Sequence, residues 1–218
     1  MAIHSATTVR KSPKWKRRPS ARPSEIADAA LDVFASKGYE AATMDEIAEA
    51  ARISKGTIYL YFPSKEDLLV ASIEGRMRRN LANLWPLQDS ARKPLTREIV
   101  RAEIEGALER LIDIFNDEQT RKVLRVLLAE RPKSPKLRER HGALALEMHD
   151  RLAEFLRNAD RAGVMECARP VEIARALFGM IIIFPITEEL FGARSDGLRS
   201  KAARRAVTSL ALKGIGLD

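Results

Sequence analysis

At 218 residues the chain can bury a core without staples, as one large domain or two small ones. Its composition, 45% apolar with only 6% aromatic and 31% charged, belongs to amphipathic helices and not to sheets, so an all-α protein is expected. A single cysteine, Cys167, excludes an internal disulfide or a cysteine-based zinc site and points to a reducing compartment, the cytoplasm, while a net charge of +8 favours polyanionic partners.

Taken in chain order, the first 22 residues hold no Asp or Glu but carry Arg10, Lys11, Lys14, Lys16, Arg17, Arg18 and Arg22 among prolines. This stretch reads as a flexible basic arm in which Arg17, Arg18 and Arg22 would track phosphates or enter a minor groove, with a merely solubilising tail as the alternative. Met1 to Val9 lacks the apolar core of an export signal. Ser24 to Lys37 is the first predicted helix, with Ile26, Ala29, Ala30, Val33 and Phe34 at helical spacing and Gly38 past its end. Thr43 and Glu46 form the capping box of a second helix that turns Ile47 and Ala48 inward. Ala50 to Ile53 is a tight connection. Ser54 to Phe62 is a short third helix with Ile58 as its buried residue, and Pro63 stops it.

Ser64 and Asp67 start a long fourth helix whose stripe of Leu68, Leu69, Ile73, Met77, Leu81 and Leu84 runs toward Pro86. The polar stretch from Gln88 to Pro94 suggests a boundary between a small N-terminal unit and a larger C-terminal one. Further helices are predicted at about 95–116 and 118–130. Arg131 to Pro135 breaks the pattern, and another helix follows at 136–161, closed by Gly163. Pro170 begins a helix that continues through Ile183 toward Leu190, with Pro185 expected to bend or interrupt it. The last helix is placed at about 197–213. Nine helices result. The longest apolar run, Ala176 to Ile186, is about half of the roughly 20 residues a bilayer span needs and reads as a buried helix, not a membrane segment.

The second and third helices have the makings of a helix-turn-helix: a bracing helix, a tight turn, and a short helix able to enter a major groove. Ile58 anchors the reading helix and leaves Lys55, Thr57, Tyr59 and Tyr61 less committed to the core. Gly56 lets its N-terminus approach a duplex closely. The stretch Thr43-Met-Asp-Glu-Ile-Ala-Glu-Ala-Ala-Arg-Ile-Ser-Lys-Gly-Thr-Ile-Tyr-Leu-Tyr-Phe-Pro-Ser-Lys-Glu-Asp-Leu-Leu, with the lead-in from Ile26 to Tyr39, strongly resembles the TetR/AcrR family of bacterial repressors.

That resemblance implies base or adjacent backbone contacts at Lys55, Gly56 and Tyr59, and phosphate contacts at Thr43, Thr57, Tyr61 and Lys65. Leu60 stands where an aromatic is often found. Arg52 stands where the turn usually has glycine, and a residue with a side chain there would cost on the order of 1 kcal/mol if the conformation is retained. Other readings stay open for single residues: Tyr59 as a core aromatic, Phe62 as core, and Lys65 paired with Glu66 or Asp67.

The resemblance further implies a DNA-binding domain at residues 23–70 and a helical effector-binding and dimerisation domain at 71–218. The homodimer would form through the last two long helices. The run from Ala176 to Ile186, apolar all round, needs a cover on both sides, either from a twin subunit or from within the monomer. A pocket for an unidentified small-molecule effector would lie among helices four to eight, where Met77, Leu81, Trp85, Phe115, Met148, Phe155 and Phe178 are the larger apolar residues available.

The expected function is a ligand-responsive regulator, by family default a repressor, bound to a palindromic double-stranded DNA operator. A DNA-binding protein without an effector, constitutive or architectural, is the alternative. An enzyme is disfavoured, because no phosphate-cradling glycine loop, no Gly-x-Ser-x-Gly and no His-Glu-x-x-His occurs. His141 and His149, eight residues apart on one predicted helix, carry no metal expectation, and no cofactor is expected.

Overall fold

The computed structural model describes residues 22–84, 94–192 and 197–217. Arg17, Arg18, Trp85 and the boundary stretch 88–93 lie outside the described residues, as does the side chain of Arg22. Among the described residues there are nine helices and no strand: α1 (Arg22–Lys37), α2 (Met44–Ala50), α3 (Lys55–Tyr61), α4 (Lys65–Leu84), α5 (Arg97–Asn116), α6 (Glu118–Glu130), α7 (Pro135–Arg161), α8 (Pro170–Phe191) and α9 (Lys201–Gly214). The fold is all-α, as the composition required.

The helix ends follow from side chains that satisfy orphan backbone donors. Thr96, Asp117, Ser134 and Ser200 each accept a hydrogen bond from the N–H three residues on, capping α5, α6, α7 and α9. Ser200 explains one difference from the sequence reading, which opened the last helix at about 197. The cap holds the helix to Lys201 onward, and Leu198 lies before it, buried, with its carbonyl accepting from Asn116 Nδ2 at 3.2 Å and Arg204 Nε at 2.9 Å.

Two apolar cores organise the bundle. The first joins α1, α2, α3 and the start of α4 (Leu68, Leu69, Val70, Ile73) and also takes in Val123, Val126 and Leu127 of α6 and Leu137 of α7. The second joins the end of α4 (Leu81, Leu84) to α5, the C-terminal half of α7, α8 and α9. Helix α4 is therefore shared by both cores, and α6 belongs to the first through its apolar face.

Polar contacts bolt α6 to its other neighbours. Asp117, its cap, accepts the Thr120 N–H at 2.8 Å and pairs with Arg76 of α4. Lys122 reaches Asp32 of α1 at 2.8 Å. Arg121 bridges Glu188 at 2.7 Å and Glu189 at 3.1 Å on α8, all three side chains largely removed from water.

Helix α8 continues through Pro185, where the sequence reading expected a bend or break. Proline removes the donor to the Ile181 carbonyl, while one turn further Thr187 donates to the carbonyls of Ile183 and Phe184, both at 2.9 Å. Over its most apolar 18-residue window the mean hydropathy of α8 is 1.6, enough by length and composition alone to cross a bilayer. Counting an uninterrupted run missed this, because Arg175 and Thr187 end the run but barely lower the average. Ala174, Leu177, Phe178 and Ile181 are buried in the second core, whereas Ile183, Leu190 and Phe191 are exposed, as is Leu210 on α9. Cys167 is buried, and burial, with Asp160 nearby, pushes its thiol up and away from reactivity.

The Asp117 cap generates a test. Partial burial works against its charge, but the Thr120 N–H and the Arg76 guanidinium outweigh it and hold the carboxyl below the usual Asp value. Asp117→Ala is expected to cost about 1 kcal/mol for the lost cap, read by urea denaturation. Because the folded value is depressed, the stabilisation is complete above the ordinary Asp value and is lost as pH falls through the folded one, so wild type and variant should converge in acid.

Candidate nucleic-acid interface

Helix α2 is set by its cap. Thr43 Oγ1 accepts the Glu46 N–H at 3.2 Å, and Glu46 accepts the Thr43 N–H at 3.0 Å and also Thr43 Oγ1–H at 3.1 Å, the reciprocal box read from the sequence. Lys37 closes on the same carboxylate at 2.6 Å, and this bond, with those from Thr43, holds Glu46 below the usual range. The Thr43 hydroxyl thus already serves α2, although the residue remains exposed.

The turn after α2 is a Schellman motif. The Arg52 N–H donates to the Glu49 carbonyl and the Ile53 N–H to the Ala48 carbonyl, each at 2.9 Å. This geometry needs a left-handed residue, and Arg52 supplies it at φ +56°, the one non-glycine with positive φ among the described residues. Gly163 closes α7 with the same bond pattern and no Cβ penalty. The departure seen in the sequence therefore keeps the family-like turn and carries its strain, on the order of 1 kcal/mol.

The turn delivers α3 with its N-cap Ser54 accepting the Thr57 N–H at 3.2 Å. Ile58 alone on the helix is fully buried. The rest of α3 faces outward or sideways: Lys55 and Gly56 are exposed, Tyr59 is 43% exposed, and Leu60 at 78% is the most exposed large apolar side chain of the described residues. Of the alternatives left open for Tyr59, the core position is not the one it takes. Phe62 is core, as expected.

The remaining candidates are placed less simply. Thr57 is half-buried, its hydroxyl 2.8 Å from Ser54 Oγ. Tyr61 packs partly against the first core. Lys65 does not take the pairing with Glu66 or Asp67 that was left open for it. Its Nζ donates to the carbonyls of Tyr39 at 2.8 Å, Ala42 at 3.0 Å and Glu40 at 3.2 Å, and it sits over the Tyr39 ring at 4.5 Å. All three ammonium protons are thereby used to tie the start of α4 to the loop before α2. The contiguous outward surface is Lys55, Gly56, Tyr59 and Leu60, with Thr57 at its edge.

Sequence reasoning did not single out Asp45, which Lys55 pairs with at 2.9 Å across the turn. The bond to Asp45 raises the Lys55 ammonium above its ordinary value, so the side chain is cationic and directed toward the first turn of α2. Both partners are solvent-exposed, which makes exchange of Asp45 for a phosphate cheap. A donor beside an acidic residue ten positions earlier has no local sequence signal.

The expected effector residues divide between the cores. Leu81, Phe155 and Phe178 are buried in the second core, and Phe115 and Met148 pack partly buried against it, whereas Met77 packs against the first. Among the described residues no group of three or more His, Cys, Asp or Glu side chains is placed to hold a metal.

Comparison with known proteins agrees with this geometry. Residues 26–72 match the model of bacterial regulatory proteins of the tetR family, and residues 102–212 match that of the AefR-like transcriptional repressor C-terminal domain. The chain is 34% identical over 103 residues to the transcriptional regulator RutR of Escherichia coli, an alignment covering 44% of this chain and 46% of RutR. The chain thus spans less than half the length of the first curated relatives it matches. It is 29% identical over 202 residues to an HTH-type transcriptional repressor of Streptomyces coelicolor, covering 88% of this chain and 97% of that one. The structure of the Bacillus subtilis regulator FadR in complex with stearoyl-CoA superposes with a TM-score of 0.66 at 24% identity, over 88% of this chain and 98% of FadR, a likeness of fold.

Arg52→Gly is expected to raise the unfolding free energy, by up to about 1 kcal/mol as the left-handed strain is relieved, and Arg52→Val to lower it. Thermal denaturation of the two variants beside the wild type checks the order.

Proposed function

Because this chain belongs to the TetR family of bacterial regulatory proteins, whose members are DNA-binding transcriptional regulators and not enzymes, we propose that it is a cytoplasmic repressor that grips a palindromic operator as a homodimer and is released by a small molecule. The observation that carries the DNA-binding part is the outward face of α3, whose one fully buried residue is Ile58 and which presents Lys55, Gly56, Tyr59 and Leu60. A lysine and a phenol hydroxyl suit phosphates or base acceptors, and an exposed leucine suits the methyl group of thymine. Thr57 and Tyr61 flank the face as phosphate contacts. Thr43 serves in the same way from the α2 N-terminus, and Arg17, Arg18 and Arg22 do so from the arm.

Dimerisation is supported by the exposed apolar side chains of α8 and α9, Ile183, Leu190, Phe191 and Leu210. A helix apolar on both faces is stable in water only when the outer face is covered, and a second copy covers it symmetrically. Repression is favoured by the repressor named along nearly the whole chain in Streptomyces coelicolor. Response to a ligand is favoured by the fold shared with a regulator crystallised with stearoyl-CoA.

Selection of bound duplexes from genomic fragments, followed by footprinting, tests the proposal. Two protected half-sites centred about one helical turn apart are expected. Uniform protection would favour an architectural role. Tyr59→Ala should weaken operator binding at least tenfold, and Lys55→Ala should weaken it while reducing the salt slope by about one. Ile183→Glu is expected to yield monomers by analytical ultracentrifugation and to abolish tight binding to the two-site duplex.

A further inference from the structure

The second core contains a seam where α4, α5, α7 and α8 meet, lined by Leu84, Ile104, Leu108, Leu152, Leu177 and Phe178 among others, all of them apolar. The void left between them is about 10 Å³, room for a single water-sized sphere. A molecule entering here must part the helices, and it meets no polar side chain along the walls.

One polar group stands at the α4 end of the seam. Arg110, on α5, directs its Nε–H to the carbonyl of Leu84, the last described residue of α4, at 3.0 Å. Its Nη2 is buried and has no hydrogen-bond partner among the described residues. A Cβ at Gly106 would lie 3.1 Å from Arg110 Nη1, so the glycine leaves the guanidinium room to lie back along α5.

Nε and Nη2 form one edge of the guanidinium fork, the edge that matches the two oxygens of a carboxylate. Here one tooth is occupied by the Leu84 carbonyl and the other has no partner among the described residues, in a setting where an unmade hydrogen bond to a charged group is costly. A carboxylate that takes both teeth must displace the Leu84 carbonyl. It would gain a bidentate ion pair and take the Arg110 hydrogen bond away from the Leu84 carbonyl.

The geometry points to an effector that is an apolar-tailed carboxylate, its head on the Nε/Nη2 edge of Arg110 and its tail in the seam beside Leu108, Leu152 and Phe178. The inference rests on the effector-responsive reading above and adds the chemical class of the ligand and the residue that recognises it. Binding would act on α4 twice, through the released Leu84 carbonyl and through separation of the seam. Leu68, Leu69 and Ile73 at the other end of the same helix belong to the core that carries α3, so the reading head feels both.

Calorimetric titration of the full chain with dodecanoate below its micellar concentration tests this, with dodecanol as the neutral control. Saturable binding of one dodecanoate per protomer is expected, at least tenfold tighter than dodecanol, and weakening from dodecanoate to octanoate by roughly threefold or more per methylene. Arg110→Met should lose the preference for the anion while keeping the affinity for dodecanol. Arg110→Lys, which keeps the charge and a cap on Leu84 but not the fork, guards against misfolding and should weaken dodecanoate at least tenfold.

Equal affinity for acid and alcohol, dodecanoate binding unchanged in Arg110→Lys, or no saturable binding of dodecanoate would each overturn the inference. Gel shift on the same preparations keeps the two proposals apart. A protein that binds its operator but ignores dodecanoate refutes the ligand class alone, and one that binds no duplex refutes the regulatory reading.

Discussion

The twenty residues of α4 are buried at one end by the core of the reading head and at the other by the core of the C-terminal bundle, and a helix about 30 Å long cannot serve both without fixing one against the other. Leu68 and Ile73 must stay in register with Ile47 and Ile58, while Leu81 and Leu84 must stay in register with α5 and α8. Any molecule that shifts the last turn of α4 therefore acts on a body whose first turn holds α3 in place. Helix α6 adds a second tie: its apolar face lies in the first core, and its arginines hold Glu188 and Glu189 of α8. The two ties differ in kind. The first is close packing, which resists small displacements; the second is an ion-pair set that can exchange partners without opening a void.

Several polar residues beside α3 serve the fold itself. Thr43 completes the α2 cap, Lys65 satisfies three carbonyls of the loop between α1 and α2, and Ser54 caps α3. These bonds hold a seven-residue helix that has one fully buried residue and could not persist alone in water. The outward side chains are thereby presented by a scaffold whose polar groups are already satisfied, which lowers the entropy lost on meeting a groove. Arg52 shows the same priority, since the Schellman bonds at Glu49 and Ala48 are kept at the expense of a strained residue.

Helix α8 carries a surplus of apolar surface. Its inner stripe completes the second core, and its outer residues Ile183, Leu190 and Phe191 face water in the single chain. In water such a face calls for a cover, and the buried Arg121 pair near the same end of α8 fixes how that face is turned.

The sequence by itself determined the all-α class, the order of the nine described helices, the capping box at Thr43 and Glu46, the inward Ile47 and Ile58, and the helix-turn-helix, because each rests on spacing within a few residues of chain. It also located the odd residue of the turn, Arg52, because the motif asks for glycine there. What only the tertiary structure decided depends on partners far apart in sequence. Lys65 reaches back to Tyr39 and Ala42, Lys55 meets Asp45, Met77 joins the first core while Leu81 joins the second, and Arg110 finds the end of α4. Helical periodicity says which side of a helix is apolar but not which of two cores receives it, and a charged side chain reveals its partner only once the chain has folded around it.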